Sequence, residues 1–477
     1  MKPYSSLHFV GIGGAGMSGI ARLFLSRGVH VTGSDVVESD RIVDLRQRGA
    51  VIKIGHAPEN VGSPDVVVVS SAIAKGNPEL KAAHDRSIPV VTRAEMLGEL
   101  MADYYGIAIA GTHGKTTTTS MVGLMLANCG ADPTVVIGGE VLDIGSNVRL
   151  GNGKYFVAEA DESDGSFLKL RPQMGVITNI EADHLENYGS LEAIVDAFDR
   201  FLQGLSIAIL GIDDPRVAGL AARAKMPLAT YGLGGGDVFA TDVRLHPKGA
   251  ACTVHFRDDV LGRLELKVPG VHNIMNALGA VAVGVSLGYP FDPIKESLSK
   301  FSGACRRFEV LGDVGGILVV DDYAHHPTEI QVTLAAAQTL GRRVVTIFQP
   351  HRYTRTLYLE DALVRSFDNA DQVIFTEIYP AGEQAIPGVS GEKLAQLVGK
   401  RRGRGVHFVP KLGEIPTLLQ ELCQPGDLVL TMGAGDVHRV AHAYLEQLRT
   451  AAVSIGGVCL GETGNPRRHS PQGQNPR

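Results

Sequence analysis

The chain has 477 residues, 44% of them hydrophobic, and a formal net charge of −6. That length allows about three domains, and the negative balance supplies no global basic field, which excludes a charge-driven nucleic-acid binder. Five scattered cysteines with no C-x-x-C pair argue against a disulfide framework or a zinc site and suit a reducing compartment.

The opening MKPYSSLHFVGIGG lacks the long apolar segment of a signal peptide, so a cytoplasmic location is expected. No run of 18 or more apolar residues offers a membrane span. Residues 7–13 (LHFVGIG) predict a strand, 17–28 (MSGIARLFLSRG) a helix, 29–35 (VHVTGSD) a strand. Residues 64–73 (PDVVVVSSAI) form a continuous β-branched run, as in a strand buried on both faces. This alternation predicts a parallel sheet covered by helices. Gly11, Gly13 and Gly16 satisfy G-x-G-x-x-G between the first strand and helix, and Asp35 ends the next strand. Such a loop lets backbone approach a diphosphate at a helix N-terminus. NAD is the familiar ligand, but any nucleotide diphosphate fits. The stretch 103–106 (DYYG) is a plausible boundary.

Residues 107–120 (IAIAGTHGKTTTTS) open a second α/β set with a phosphate loop two residues shorter than G-x-x-x-x-G-K-[ST]. Lys115 would neutralise terminal phosphate oxygens from an open loop surface. Thr116 would hold Mg²⁺, and backbone N–H groups from 112 to 116 would cradle phosphate. Residues 157–167 (VAEADESDGSF) place Glu159, Asp161, Glu162 and Asp164 at a strand end; Glu159 is the expected Mg²⁺ ligand, the others supporting or on the surface. Residues 178–190 (TNIEADHLENYGS) add Asn179, Asp183 and His184, a metal ligand, substrate orienter or structural histidine. Asn273 and Asn276 lie three apart on a predicted helix; their amides suit an adenine edge, although from the residues alone capping or surface placement is the better explanation.

A third set contains four predicted strands, in 316–327 (GILVVDDYAHHP), 343–356 (RVVTIFQPHRYTRT), 371–383 (DQVIFTEIYPAGE) and 427–436 (DLVLTMGAGD). Each ends in polar residues or glycine, where open α/β sheets bind ligands. Asp322, His325 and His326 follow the first; His351, Arg352 and Arg355 follow the second. Two arginines near histidines suit a carboxylate or phosphate. RRGRG at 401–405 reads as a short solvated loop, and 453–477 as a disordered tail.

The motifs GTHGKTTTT, AEADESD, NIEADH, HNxxNA, RRFE, DDYAHHPTE and PHRYTRT, in this order across residues 7–445, resemble those of the Mur ligases. The resemblance implies three α/β domains: a Rossmann-like N-terminal domain over 1–104, a central P-loop mononucleotide-binding domain over 105–304, and a C-terminal Rossmann-like domain over 305–452. It implies that the first loop holds a UDP-sugar through Gly13, Gly14, Ala15, Gly16 and Met17, with Asp35, Ser70 and Ser71 toward the uridine. It places ATP on Gly111, Thr112, His113, Gly114, Lys115, Thr116 and Thr117, near Asn273, Asn276, Arg307 and Asp322. Thr116 and Glu159 would meet Mg²⁺ and His184 a second metal, with Lys115, Glu159 and His184 as the catalytic group. His325, Arg352 and Arg355 would face an incoming amino acid. Within the family, the details are most similar to members that join L-alanine to the lactyl carboxylate of UDP-N-acetylmuramate through an acyl phosphate. That implies small-molecule partners, with no nucleic acid or membrane, and a monomer or homodimer. Attachment of a recycled murein tripeptide to the same sugar is the alternative; a nicotinamide-dependent dehydrogenase and a non-catalytic ATP switch are more remote ones.

Overall fold

The computed structural model describes residues 4–70, 72–141, 146–246 and 249–455. Strands β1–β5 (Ser6–Val10, His30–Asp35, Val51–Ile54, Val66–Val69, Val90–Thr92) form a parallel sheet ordered β3-β2-β1-β4-β5. The order reverses between β1 and β4, which opens a crevice at their carboxyl ends. The valine run at 66–69 is the strand predicted there, though Ser70 already lies beyond it.

Strands β6–β15 (Tyr105–Ala110, Thr134–Val141, Ser146–Arg149, Tyr155–Glu159, Met174–Ile177, Ile207–Gly211, Leu228–Gly232, Val238–His246, Gly249–Phe256, Asp259–Leu266) make a ten-stranded sheet. Its order is β15-β14-β13-β12-β11-β10-β6-β9-β7-β8. The antiparallel run β13–β15 extends it beyond the predicted parallel core. Strands β16–β21 (Glu309–Val314, Ile317–Asp322, Arg343–Phe348, Gln372–Phe375, Val406–Phe408, Asp427–Met432) form a third sheet ordered β16-β17-β21-β18-β19-β20. The four predicted strands are β17, β18, β19 and β21. The other two, β16 and β20, are partly exposed edges whose weak alternation hides them in sequence. Among the described residues no helix is long and apolar enough to cross a membrane.

Two expectations are corrected. Arg401 and Arg402 close helix Gly391–Arg402, which Gly403 ends at φ +74°; they are not a solvated loop. Arg401 pairs with Asp368 at 2.7 Å, and Arg402 donates to the carbonyls of Phe367 and Ala370. Cations favour a helix C-terminus, where carbonyls are unsatisfied. Helix His438–Ile455 also runs past residue 452 into the segment expected to be disordered. Val440, Ala441, Tyr444 and Leu445 dock it on the third sheet, and propagation past a docked stretch costs little. Residues 456–477 of that tail lie outside the described residues.

A polar cluster is buried in the first unit. Glu79, 0% exposed, accepts from Ser34 Oγ at 2.5 Å, Asn60 Nδ2 at 2.7 Å and Ala57 N at 3.2 Å, with His8 Nε2 at 3.4 Å. Burial alone would raise its pKa, but these hydrogen bonds outweigh it and hold the carboxyl down at about 2. A depressed folded-state pKa contributes stability above pH ~4.5 that is lost as pH falls toward about 2. Glu79→Gln is therefore expected to cost about 1–3 kcal/mol at pH 7. Its urea midpoint should also vary less between pH ~5 and pH ~3 than that of the parent chain.

Candidate active site

β6 lies between β10 and β9 in the second sheet. The carboxyl ends of these three strands deliver the loop 111–114, Glu159 and residues 178–184 to one place. The loop leads into helix Lys115–Asn128, whose N-cap Gly114 has φ +81°. A Cβ there would be strained and would come 2.5 Å from Asn276 Oδ1. Gly114→Ala is expected to weaken nucleotide binding by about 10-fold, or ~1.4 kcal/mol, as measured by ADP titration of the folded variant.

Lys115 is not on an open loop surface, as expected from sequence; its side chain is 14% exposed. Nζ donates to the carbonyls of Gly111 (2.6 Å) and Thr112 (3.1 Å) and pairs with Glu162 at 2.8 Å. Burial disfavours the ammonium, but Glu162, Asp161 and Glu159 outweigh it and hold it charged. Glu162, left in the sequence as a supporting or surface residue, is buried beneath the loop, and that burial pushes its carboxyl up. The expectation that N–H groups 112–116 all cradle phosphate also changes. Thr112 N and His113 N donate to Asn179 O and Asn179 Oδ1, both at 2.9 Å. Asn179 is thus the residue that shapes the loop.

Thr116 Oγ1 donates to Glu159 Oε2 at 3.0 Å, and Gly138 N donates to the same oxygen at 2.9 Å. His184 has φ +53°, a backbone conformation that costs energy outside glycine. It stands between Asp183 (3.5 Å) and Glu186 (3.4 Å). Burial opposes its protonation; the two carboxylates outweigh that and raise its pKa.

Two chambers flank the loop. One, about 300 Å³, is lined by Thr117, Tyr231, His272, Asn273, Asn276 and Asp322 among others. Asn273 and Asn276 are buried, not on the surface, in helix Val271–Ser286. Asn276 donates to Asn273 Oδ1 at 3.3 Å and accepts from Thr118 Oγ1 at 3.2 Å; Asn273 donates to Pro269 O at 2.7 Å. Asp322, at the end of β17, accepts from Phe308 N and Ala324 N, both at 2.7 Å. Burial pushes its carboxyl up to about 6. His272, with its ring Nδ1 buried and without a hydrogen-bond partner among the described residues, had no signal beyond its place before Asn273.

The other chamber, about 600 Å³, is lined by Lys115, Thr116, Glu159, Asp183, His184, His325, Arg352 and Arg355, with Arg41 from the first unit. Arg355, 6% exposed, grips Asp183 through Nε (3.0 Å) and Nη2 (2.9 and 3.1 Å), and its Nη1 donates to His351 Nδ1 at 2.9 Å. Arg352 pairs with Glu186 at 3.1 Å. Burial pushes His325 down to about 4 and His351 to about 2, so both rings are neutral at pH 7. His113, Arg307 and Glu329 line both chambers. Arg307 approaches Glu329 at 3.5 Å, whereas Arg306 is tied to Asp321 and to the carbonyls of Gly433 and Gly435. His113 is held between Glu181 and Glu329; burial opposes its charge, but the carboxylates raise its pKa to about 9.

The first glycine loop joins β1 to helix Ala15–Ser26, with Gly14 as N-cap. Asp35 accepts from Gly13 N at 2.8 Å and Val36 N at 2.8 Å, so its carboxylate braces the loop. Gly16 lies under the Arg93 side chain. Met17 points into the core, which leaves only its backbone to a ligand. Ala15 O accepts from Asn147 of the second unit. Ser70 packs beside Gly11; Ser71 lies outside the described residues.

Comparison with known proteins agrees with this architecture. Profiles of the "Mur ligase family, catalytic domain", the "Mur ligase middle domain" and the "Mur ligase, glutamate ligase domain" match residues 6–105, 109–284 and 306–435. The chain is 49% identical over 450 residues to the UDP-N-acetylmuramate–L-alanine ligase of Geotalea daltonii, covering 93% of this chain and 98% of that protein. The solved UDP-N-acetylmuramate–alanine ligase of Thermotoga maritima superposes with TM-score 0.81 at 32% identity, covering 94% and 99% of the two chains. A murein peptide ligase from Psychrobacter arcticus gives 0.69 at 26% identity, covering 93% and 98%. Three matched profiles, near-complete relatives and a phosphate loop facing an arginine pair lead to one conclusion: the chain belongs to the Mur ligase family.

Proposed function

We propose that this chain is an ATP-dependent ligase that joins L-alanine to the lactyl carboxylate of UDP-N-acetylmuramate, giving UDP-N-acetylmuramoyl-L-alanine, ADP and phosphate. The carrying observation is the cleft itself. The phosphate loop of one sheet, with Lys115, opens toward Arg352 and Arg355 of another.

In this reading residues 1–104 bind the UDP-sugar. The backbone of Gly13, Gly14, Ala15, Gly16 and Met17 meets the diphosphate, and Asp35 and Ser70 lie toward the uridine. Residues 105–304 bind ATP, with the base near Asn273 and Asn276, the ribose near Asp322 and the phosphates on residues 111–117. Residues 305–452 bind alanine through His325, Arg352 and Arg355. Thr116 and Glu159 are oxygen donors 3.0 Å apart, with His184 lining the same chamber, and suit Mg²⁺, which would neutralise phosphate charge.

A lactyl carboxylate oxygen attacks the γ-phosphorus and ADP leaves. The alanine ammonium loses a proton to solvent, the resulting amine attacks the acyl-phosphate carbonyl, inorganic phosphate leaves and the nitrogen gives up a second proton. Lys115 and Arg307 would screen the repulsion between carboxylate and γ-phosphate. Neutral His325 and His351 add no second positive charge against the alanine ammonium. A cytoplasmic location follows from the use of ATP and a nucleotide sugar.

The test is phosphate release from ATP with Mg²⁺ and UDP-N-acetylmuramate, with L-alanine or with L-Ala-γ-D-Glu-meso-diaminopimelate. Release that requires L-alanine, with a product heavier by one alanyl residue, supports the reading. Release only with the tripeptide moves the chain to the recycling activity.

A further inference from the structure

Metal-ligating atoms also converge away from the Thr116–Glu159 pair. His113 on the phosphate loop, Glu181 beyond β10 and His326 capping helix Pro327–Gln338 bring ligand atoms within 4.8 Å of one another. His113 Nε2 is 3.5 Å from Glu181 Oε2, and His326 Nδ1 is 3.6 Å from the same oxygen. Ligands about 2.0–2.1 Å from a tetrahedral zinc stand about 3.4 Å apart. The two contacts to Glu181 are within a few tenths of an ångström of that spacing.

The surroundings orient both rings. His113 Nδ1 pairs with Glu329 Oε1 at 3.2 Å, which turns Nε2 toward Glu181; a cation bound there would displace the Nε2 proton. That Nε2 is buried and has no hydrogen-bond partner among the described residues. A carboxylate behind a metal-binding histidine is the usual outer-shell device. His326, its side chain 6% exposed, accepts the Thr328 N–H at Nδ1 across a long 3.4 Å, a weak contact that a cation at Nδ1 would replace. Thr328 Oγ1 donates to Glu181 Oε2 at 2.6 Å and fixes the carboxylate. Two imidazoles and one carboxylate suit a borderline cation, not Mg²⁺.

We propose that His113, Glu181 and His326 form a three-ligand site for a borderline divalent cation such as Zn²⁺. The site joins the phosphate loop to the helix that follows β17. Occupancy would tie the second and third units together as they stand here, so micromolar zinc would slow turnover without occupying the Mg²⁺ position.

The experiment titrates Co²⁺ into the full, tag-free chain in excess Mg²⁺ and follows visible absorption. One equivalent should bind with the intense bands of four-coordinate cobalt. His326→Asn, which retains a helix-capping side chain, and Glu181→Gln should each weaken binding at least 10-fold with unchanged circular dichroism. Glu159→Gln should keep the bands. No cobalt bands in the parent chain, equal affinity in both site variants, or loss of the bands only in Glu159→Gln would each overturn the site.

Discussion

Lys115→Ala is expected to lower alanine-dependent phosphate release by about 1,000-fold or more, equivalent to ~4 kcal/mol of transition-state stabilisation. Lys115 Nζ lies against the loop carbonyls, and phosphoryl transfer depends on positioning and charge neutralisation more than on covalent participation. Its ammonium is already buried and charged against Glu162, so little solvent has to be shed when a phosphate arrives. The same pairing predicts a second effect. Without Lys115, Glu162 remains buried beneath the loop with its main countercharge gone, and a buried group stripped of its partner costs about 1–3 kcal/mol. Because burial has already pushed the Glu162 carboxyl up, it would answer by taking a proton, which limits that cost. Lys115→Ala with Glu162→Gln should therefore recover chemical stability without recovering turnover. Near-normal phosphate release by the single variant would remove the phosphate-loop assignment.

The parts of this protein legible in sequence are those where local chemistry and position coincide. Glycines after an apolar run and before a helix reveal both loops, because turn geometry, backbone approach and helix dipole act on adjacent residues. Strands β17, β18, β19 and β21 read clearly because both faces are buried. Edge strands β16 and β20 do not, since exposure on one side dilutes the pattern. The site was legible by residue type more than by contact. Arg355 and Asp183 are 172 positions apart yet share three hydrogen bonds; no local pattern reports such a pair. Glu162 looks like one of four solvated acids until the fold turns it under the loop. Glu181 and Glu329 acquire meaning only when two sheets bring them to either side of His113.

Arg355→Lys is expected to raise KM for L-alanine about 100-fold, or ~2.7 kcal/mol, while KM for ATP changes less than about 3-fold; initial rates with each substrate varied separately measure both. A lysine keeps the charge but loses the fork. In the structure that fork is taken by Asp183, so an alanine carboxylate must share the guanidinium or displace Asp183. Sharing leaves two carboxylates on one cation, which is tolerable because Arg352, 32% exposed and paired with Glu186 at the rim, can swing to supply the second charge. Displacement would release Asp183 toward the alanine ammonium, where its charge is equally useful. Both routes make Asp183 a competitor of the substrate carboxylate. Asp183→Asn should then lower KM for alanine or leave it within a few-fold, while Arg355→Lys raises it. If Arg355 serves instead only as a strut between the two sheets, the two substitutions break the same contact, and alanine KM should rise alike in both.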